Sequence, residues 1–233
     1  MIDEKYKTAT IILRDISSKC TSEDIFQLSK TIAAFCYHEQ FVESGLFFSS
    51  IINTHYQLHK DNPKNTTYQL HFENNDKDDL LLFGIGYCLN GASISIQGNV
   101  GNSLGYHMGS GKIVIEGNTK NETGARMNKG LIYIFGSTEN DVGHQMYGGE
   151  IIIEKNAGKF LGERSFGGKI TVKGKTEGFI GRVLNGGVIY LEGDYKKEQF
   201  AHNAQKGTIF HKGQQVFHKE KQTMNQEFSE ELK

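Results

Sequence analysis

The sequence predicts a mainly β protein, a stacked parallel β-helix of nineteen-residue rungs preceded by a small α/β segment. Three columns of residues predict it. Gly105, Gly124, Gly143, Gly162 and Gly181 are evenly spaced, and so are Gly111, Gly130, Gly149, Gly168 and Gly187. Each glycine of the second set introduces an aliphatic-x-aliphatic triplet: Ile113/Ile115, Ile132/Ile134, Ile151/Ile153, Ile170/Val172 and Ile189/Leu191. A third column, Gly98, Gly117, Gly136, Gly174 and Gly193, follows the triplets and is broken only by Lys155. A fixed period near twenty residues marks a coil in which each repeat stacks on the last.

Residues 1–79 lie outside the repeat. Thr8–Leu13 is short and β-branched and is expected to be a strand. Thr21-Ser22-Glu23-Asp24 places a threonine at a helix cap and a carboxylate three residues on. Ile25, Leu28, Ile32 and Phe35 then follow at helical spacing, which predicts an amphipathic helix over 22–37. The apolar stretch Leu46–Leu58 fits a helix or strands equally. Asp61–Asn65 marks a turn around the single proline, Thr66–Phe72 reads as a strand, and Asn74–Asp79 forms a polar boundary loop.

From residue 80 to 213 every column has a structural task. Side chains alternate along a strand, so the two aliphatics of each triplet face one side. Parallel pairing of successive rungs places them about 4.8 Å apart. The residue before each first-column glycine is Ile85, Leu104, Thr123, Val142, Leu161 or Ile180, and three residues after it come Leu89, Met108, Met127, Met146, Ser165 and Leu184. With the triplets these supply three walls of a filled interior. The first rung aligns with Ala92 in place of Gly111. The last is a residue longer, with Ala201 where a glycine is expected, as befits a terminal rung. Residues 214–233 are expected to be a charged tail, frayed or helical from His218 onward.

Gly105–Met108, Gly111-Lys-Ile113-Val-Ile115-Glu-Gly117-Asn118 and Gly124-Ala-Arg-Met127-Asn-Lys-Gly130 resemble the GXGXG repeat family. That family includes the carboxy-terminal domain of the glutamate synthase large subunit, one of the subunits of formylmethanofuran dehydrogenase, and relatives of the latter in the formyltransferase/hydrolase complex. The likeness covers about 80–213. It implies a right-handed coil that scaffolds or docks, with the chemistry of a glutamate-synthase-like or formylmethanofuran-dehydrogenase-like oxidoreductase complex housed elsewhere. It also implies no cofactor on this chain and FMN or metal cofactors on partner subunits. The chain lacks tryptophan and the Arg-Gly-Asp-Trp-like insertion usual in the formylmethanofuran dehydrogenase member of the family, and its first eighty residues match neither large family.

A formal charge of −1 gives no electrostatic case for nucleic acid or an anionic membrane, and no apolar run reaches the ~18 residues of a membrane span. The charged start, Met1–Lys5, does not read as a signal peptide, and three widely spaced cysteines without C-x-x-C read as reduced thiols. Both point to a cytoplasmic protein without a zinc or iron–sulfur site. The expected partners are protein subunits, or further copies of the chain.

Twenty-eight glycines invite a phosphate-loop reading, but neither Gly-x-Gly-x-x-Gly before a helix nor a Walker motif occurs. His55 and His59 read as a helical surface pair, and Cys88 as a structural thiol. No catalytic set assembles. The stepwise six, seven, six spacing of glycines makes hexapeptide acyltransferases the nearest enzymatic alternative, a stand-alone enzyme or ligand-binding protein using the coil surface, although their coil wants strict sixes. A secreted carbohydrate-binding solenoid fits less well. An Asn-rich column (Asn99, Asn118, Ser137, Asn156, Asp194) reads as turn chemistry.

Two columns are candidate interaction surfaces. Two residues after the rung glycine come Cys88, His107, Arg126, Gln145, Arg164 and Val183; of these His107, Arg126, Gln145 and Arg164 form a polar ladder, either a solvated corner or an edge for an acidic partner or anionic ligand. The outward position of each triplet reads Ser95, Val114, Tyr133, Ile152, Thr171, Tyr190 and Phe210. A stripe this apolar calls for cover, by the amino-terminal segment or by another subunit, with simple exposure the remaining alternative.

Overall fold

The computed structural model describes residues 21, 23–25, 44–61, 67–72, 82–196 and 200–220. In chain order the elements are α1 (Ser44–His59), β1 (Thr67–His71), β2 (Ser93–Gln97), β3 (Lys112–Ile115), β4 (Leu131–Ile134) and β5 (Glu150–Ile153). Then come β6 (Ala157–Lys159), β7 (Lys169–Val172), β8 (Thr176–Gly178), β9 (Asn185–Leu191), β10 (Lys206–His211) and β11 (Gln214–Lys219). The main sheet has nine strands in the order β1-β2-β3-β4-β5-β7-β9-β10-β11, and β6 pairs with β8 in a second, two-stranded sheet. The predicted parallel β-solenoid of about six turns of ~19 residues is present.

The register is uniform where it matters. Ile94, Ile113, Ile132, Ile151, Ile170, Ile189 and Ile209 are successive partners in one ladder. All seven are buried, each worth roughly 1.5–3 kcal/mol relative to exposure. The other two predicted walls are also interior: Leu104, Thr123, Val142, Leu161 and Ile180 on one, Leu89, Met108, Met127, Met146, Ser165 and Leu184 on the other. Methionine and glycine columns are coupled. A Cβ on Gly130, Gly149 or Gly168 would lie 2.6–2.7 Å from the Cε of Met108, Met127 or Met146, and 2.6–2.9 Å from the carbonyl oxygen of the glycine one rung earlier, which cannot yield as the methionine end can.

The glycine columns serve two different needs. Gly105, Gly124, Gly143, Gly162 and Gly181 have φ of 64–66°, the left-handed region, as turn residues. Gly117, Gly136 and Gly193 do not; a Cβ there would strike the carbonyl oxygen of the glycine one rung earlier. Ala201 takes the left-handed turn (φ 48°) in place of the missing glycine, and the extra residue of that rung appears as a register shift between Lys206 and Thr208.

The Asn column hydrogen-bonds as expected, but not from the left-handed conformation; it forms a ladder. Asn118 N donates to Asn99 Oδ1 at 2.8 Å, Ser137 N to Asn118 Oδ1 at 2.8 Å, and Lys175 N to Asn156 Oδ1 at 2.8 Å. A second ladder, Asn102–Asn121–Asn140, repeats the pattern and ends on Lys159 N.

The described part of the amino-terminal segment shares one sheet and one core with the coil. β1 pairs in parallel with β2, and Phe48, Ile52, Tyr68 and Leu70 join the same buried cluster as Ile94. Leu46–Leu58 resolves as helix α1, which caps the open first rung. Ser49 Oγ donates to Gly84 O at 2.9 Å, and Asn53 Nδ2 to Cys88 O at 3.2 Å. The helix-start reading holds at its visible end: Asp24 N donates to Thr21 Oγ1 and Thr21 N to Asp24 Oδ2. The rest of helix 22–37, strand 8–13 and loop 74–79 lie outside the described residues.

Two further expectations change. His55 is not a surface residue. It is buried, with Nδ1 2.7 Å from the hydroxyl of Tyr68, whose phenol burial pushes upward in pKa. The tail expected from 214 begins instead with β11, which pairs antiparallel to β10 and covers the last parallel strand with a mostly polar edge.

Val183 sits at φ 53°, a strained value for a β-branched side chain. Replacing it with Asn, which tolerates this region, is expected to raise unfolding free energy by about 1 kcal/mol. Urea denaturation of the two proteins measures the difference; an unchanged or lower midpoint would refute the strain.

Candidate functional site

Each rung turns through five residues around its first-column glycine. In the fourth rung these are Asp141-Val142-Gly143-His144-Gln145. Val142 points into the core, and His144 N donates to Asp141 O at 3.2 Å, which closes the turn. The same bond recurs from Tyr106 to Ser103, Ala125 to Glu122 and Glu163 to Phe160. Side chains at the two ends of that bond therefore stand next to each other, and the rungs stack them into two adjacent columns. One column reads Ser103, Glu122, Asp141, Phe160 and Phe179; the other reads Tyr106, Ala125, His144, Glu163 and Arg182.

The chemistry concentrates in the middle of this corner. One ligand-type atom each from Asp141, His144 and Glu163 lies within 4.8 Å of the other two. Glu163 is only 4% exposed, while Asp141 and His144 are half-buried. Arg182 Nη2 donates to Glu163 Oε1 at 2.5 Å, and Arg164 Nε lies 3.9 Å from the same oxygen. The Arg182 guanidinium is itself held over the stacked rings of Phe160 and Phe179, 5.3 and 5.8 Å from their centroids. Glu122 is fixed by the Ser103 hydroxyl at 2.6 Å. Nδ1 of His144 is buried without a hydrogen-bond partner among the described residues. Burial raises the Asp141 carboxyl above its ordinary 3.8; Glu163 and Glu122 add to that, and His144 and Arg182 oppose it.

The column two residues after each first-column glycine does not contain this set, so it is not among the residues expected from the sequence. The signal lies one residue after the glycine, where His144, Glu163 and Arg182 recur at the rung period.

The predicted polar ladder exists as a column. Cys88, His107, Arg126, Gln145, Arg164 and Val183 all have φ of 52–56°. Arg126 Nε donates to Gln145 Oε1 at 3.0 Å and sits 5.8 Å from the Tyr106 ring centroid. Arg126 and Arg164 are exposed, and His107 packs edge-on against Tyr106.

The outward stripe is on the face of the main sheet. Val114, Tyr133, Ile152, Tyr190 and Phe210 are each partly exposed, and the described amino-terminal residues cap the coil's end. The row on β4 is apolar throughout: Leu131, Tyr133 and then Phe135, half-exposed just beyond the strand. Its neighbours carry charge ladders, Lys169 Nζ to Glu150 Oε1 at 2.8 Å and Lys173 Nζ to Glu154 Oε1 at 2.7 Å. The Tyr133 hydroxyl also donates to Glu154 Oε1, and the Lys173 and Tyr133 bonds hold the Glu154 carboxyl below its ordinary value. A second exposed aromatic pair, Tyr147 and Phe166, stacks at 5.1 Å.

A groove of about 360 Å³ runs along the Asn99–Asn118–Ser137 corner, also lined by Thr119 and Lys120. Its Asn99 and Asn118 carbonyl oxygens are already engaged by the next rung, so the groove reads as a product of the ladder.

No protein-family profile matches the chain, and no curated protein matches it. Among solved structures, it is similar to a chain in the X-ray crystal structure of the formyltransferase/hydrolase complex (FhcABCD) from Methylorubrum extorquens in complex with methylofuran. The identity is 24% and the TM-score 0.52; the match covers 61% of this chain and 55% of that one. This chain thus spans little more than half the length of the chain it matches, and what the two share at this identity is the fold.

Asp141 supplies a test of the corner's electrostatics. Its raised folded-state pKa means that the stability it contributes is present below about pH 4 and is lost as pH rises through the folded value. Asp141→Asn is therefore expected to raise the melting temperature of the metal-free chain at pH 7, with the gain vanishing below pH 4. A lower melting temperature at pH 7 would contradict this reading.

Proposed function

We propose that the chain is a non-catalytic docking subunit or accessory module in a multiprotein complex. The apolar row on β4 carries this reading. Leu131, Tyr133 and Phe135 are all partly exposed along β4, with Val114 and Ile152 beside Tyr133 on the neighbouring strands and the Glu150–Lys169 and Glu154–Lys173 pairs on the β5–β7 side. A contiguous apolar patch with a polar rim is the composition of a protein interface centre. The fold likeness to a chain of the FhcABCD complex agrees with this and favours a formyl-transferring complex of that kind. The GXGXG-like phrases keep a glutamate-synthase-like assembly as the companion proposal. In either, redox or flavin chemistry belongs to partner subunits, and the setting is the cytoplasm. No described helix is long and apolar enough to cross a membrane.

A stand-alone enzyme is the second reading, favoured only by the His144–Glu163 corner. Co-expression with the products of neighbouring genes separates the two. Wild type is expected to co-purify with one of them, and Tyr133→Ser/Phe135→Ser to lose at least tenfold of that association while keeping its circular-dichroism spectrum. Turnover of a substrate by the isolated chain would overturn the docking reading.

A further inference from the structure

We propose that Asp141, His144 and Glu163 form a binding site for one divalent first-row transition-metal ion, of the kind that accepts imidazole and carboxylate together. The sequence alone predicts no metal on this chain, because it holds neither cysteine pairs nor a metalloprotease-type histidine pair. The turn and the rung period supply a different spacing: an Asp and a His joined by a turn bond, with a Glu one rung beyond.

Four observations converge on an ion. First, the donor atoms are nearly assembled. Tetrahedral ligands at 2.0–2.2 Å from zinc lie about 3.4 Å apart, so donors within 4.8 Å need only modest side-chain rotation, and Asp141 and His144 are exposed enough to rotate. Second, His144 Nδ1 is a buried polar atom without a partner among the described residues, and such an atom calls for a missing ligand or a water. Third, the carboxylates of Asp141 and Glu163 meet at this corner, and the cation bonded there, Arg182, goes to Glu163. Fourth, Glu163 is already oriented. Both arginine contacts go to Oε1, so neither arginine engages Oε2, and Arg182 lies over the Phe160–Phe179 stack. Fixed partners behind a ligand are the arrangement that sets metal affinity.

One imidazole and two carboxylates suit zinc, iron or manganese better than a thiolate-seeking ion. Three protein ligands leave a fourth position for water or for a group from a bound partner. The site lies on the turn corner, whereas the β4 row lies on the sheet face, so either proposal can fail without the other.

The test uses the full chain, stripped with chelator. Titration with Zn²⁺ by calorimetry and with Co²⁺ by visible absorption is expected to show one saturable equivalent and a higher melting temperature. His144→Ala and Asp141→Asn are each expected to weaken binding at least tenfold with an unchanged circular-dichroism spectrum. Glu163→Gln is expected to do the same, but it also loosens Arg182, so the two half-buried positions carry the result. Asp141→Asn gives a readout that a purely structural aspartate would not: a folded chain whose melting temperature zinc no longer raises. Absence of saturable binding, or binding that survives both His144→Ala and Asp141→Asn, overturns the proposal.

Discussion

The constraint on which this molecule depends is the hydrogen-bonded alignment of each rung directly over the last. Lys112 N donates to Ala92 O, Leu131 N to Gly111 O and Glu150 N to Gly130 O, and the turns repeat it in the other direction, His107 N to Ala125 O and Arg126 N to His144 O. Backbone groups buried inside a coil must be paired, and parallel stacking without offset pairs them rung by rung. The rest follows. A side chain that packs well in one rung meets its own kind in the next, which is why isoleucines, methionines, asparagines and aromatic rings fall into columns.

That alignment also explains where the chain accepts strain. Besides its turn glycines, it places ordinary residues in the left-handed region in two columns, from Ser103 to Phe179 and from Cys88 to Val183. Each costs on the order of 1 kcal/mol. The cost recurs because the turn that incurs it also donates a backbone bond to the neighbouring rung and turns the next side chain over the corner. Glycine is indispensable elsewhere for a different reason, the approach of one rung's α-carbon to the carbonyl beneath it at Gly117, Gly136 and Gly193.

A stack with a repeating backbone presents the same surface positions once per rung. The coil is capped at its first turn by α1, and its main sheet ends on β11, which pairs antiparallel with β10. What differs between rungs is the outward residue of each column. The β4 row and the Asp141–His144–Glu163 corner are the places where those differences gather into a patch or a cluster.

The amino-acid order alone determined the coil. A period of nineteen kept in several columns leaves parallel rungs as the arrangement that buries every triplet, and alternation along a strand is a local property of the chain. The three walls of the core, the strand at Thr67–His71 and the threonine cap at Thr21 were legible for the same reason. Tertiary structure decided what lies around that coil. Leu46–Leu58 had no periodicity to separate helix from strand until it packed on the first rung, and His55 could not be placed inside before Tyr68 was brought to it. The candidate corner was legible only in part. The spacing of His144, Glu163 and Arg182 is in the sequence, but their convergence with Asp141 depends on the turn bond and on left-handed backbone angles at Asp141 and Gln145. Periodicity specifies which residues share a column; the conformation of the turn specifies which columns touch.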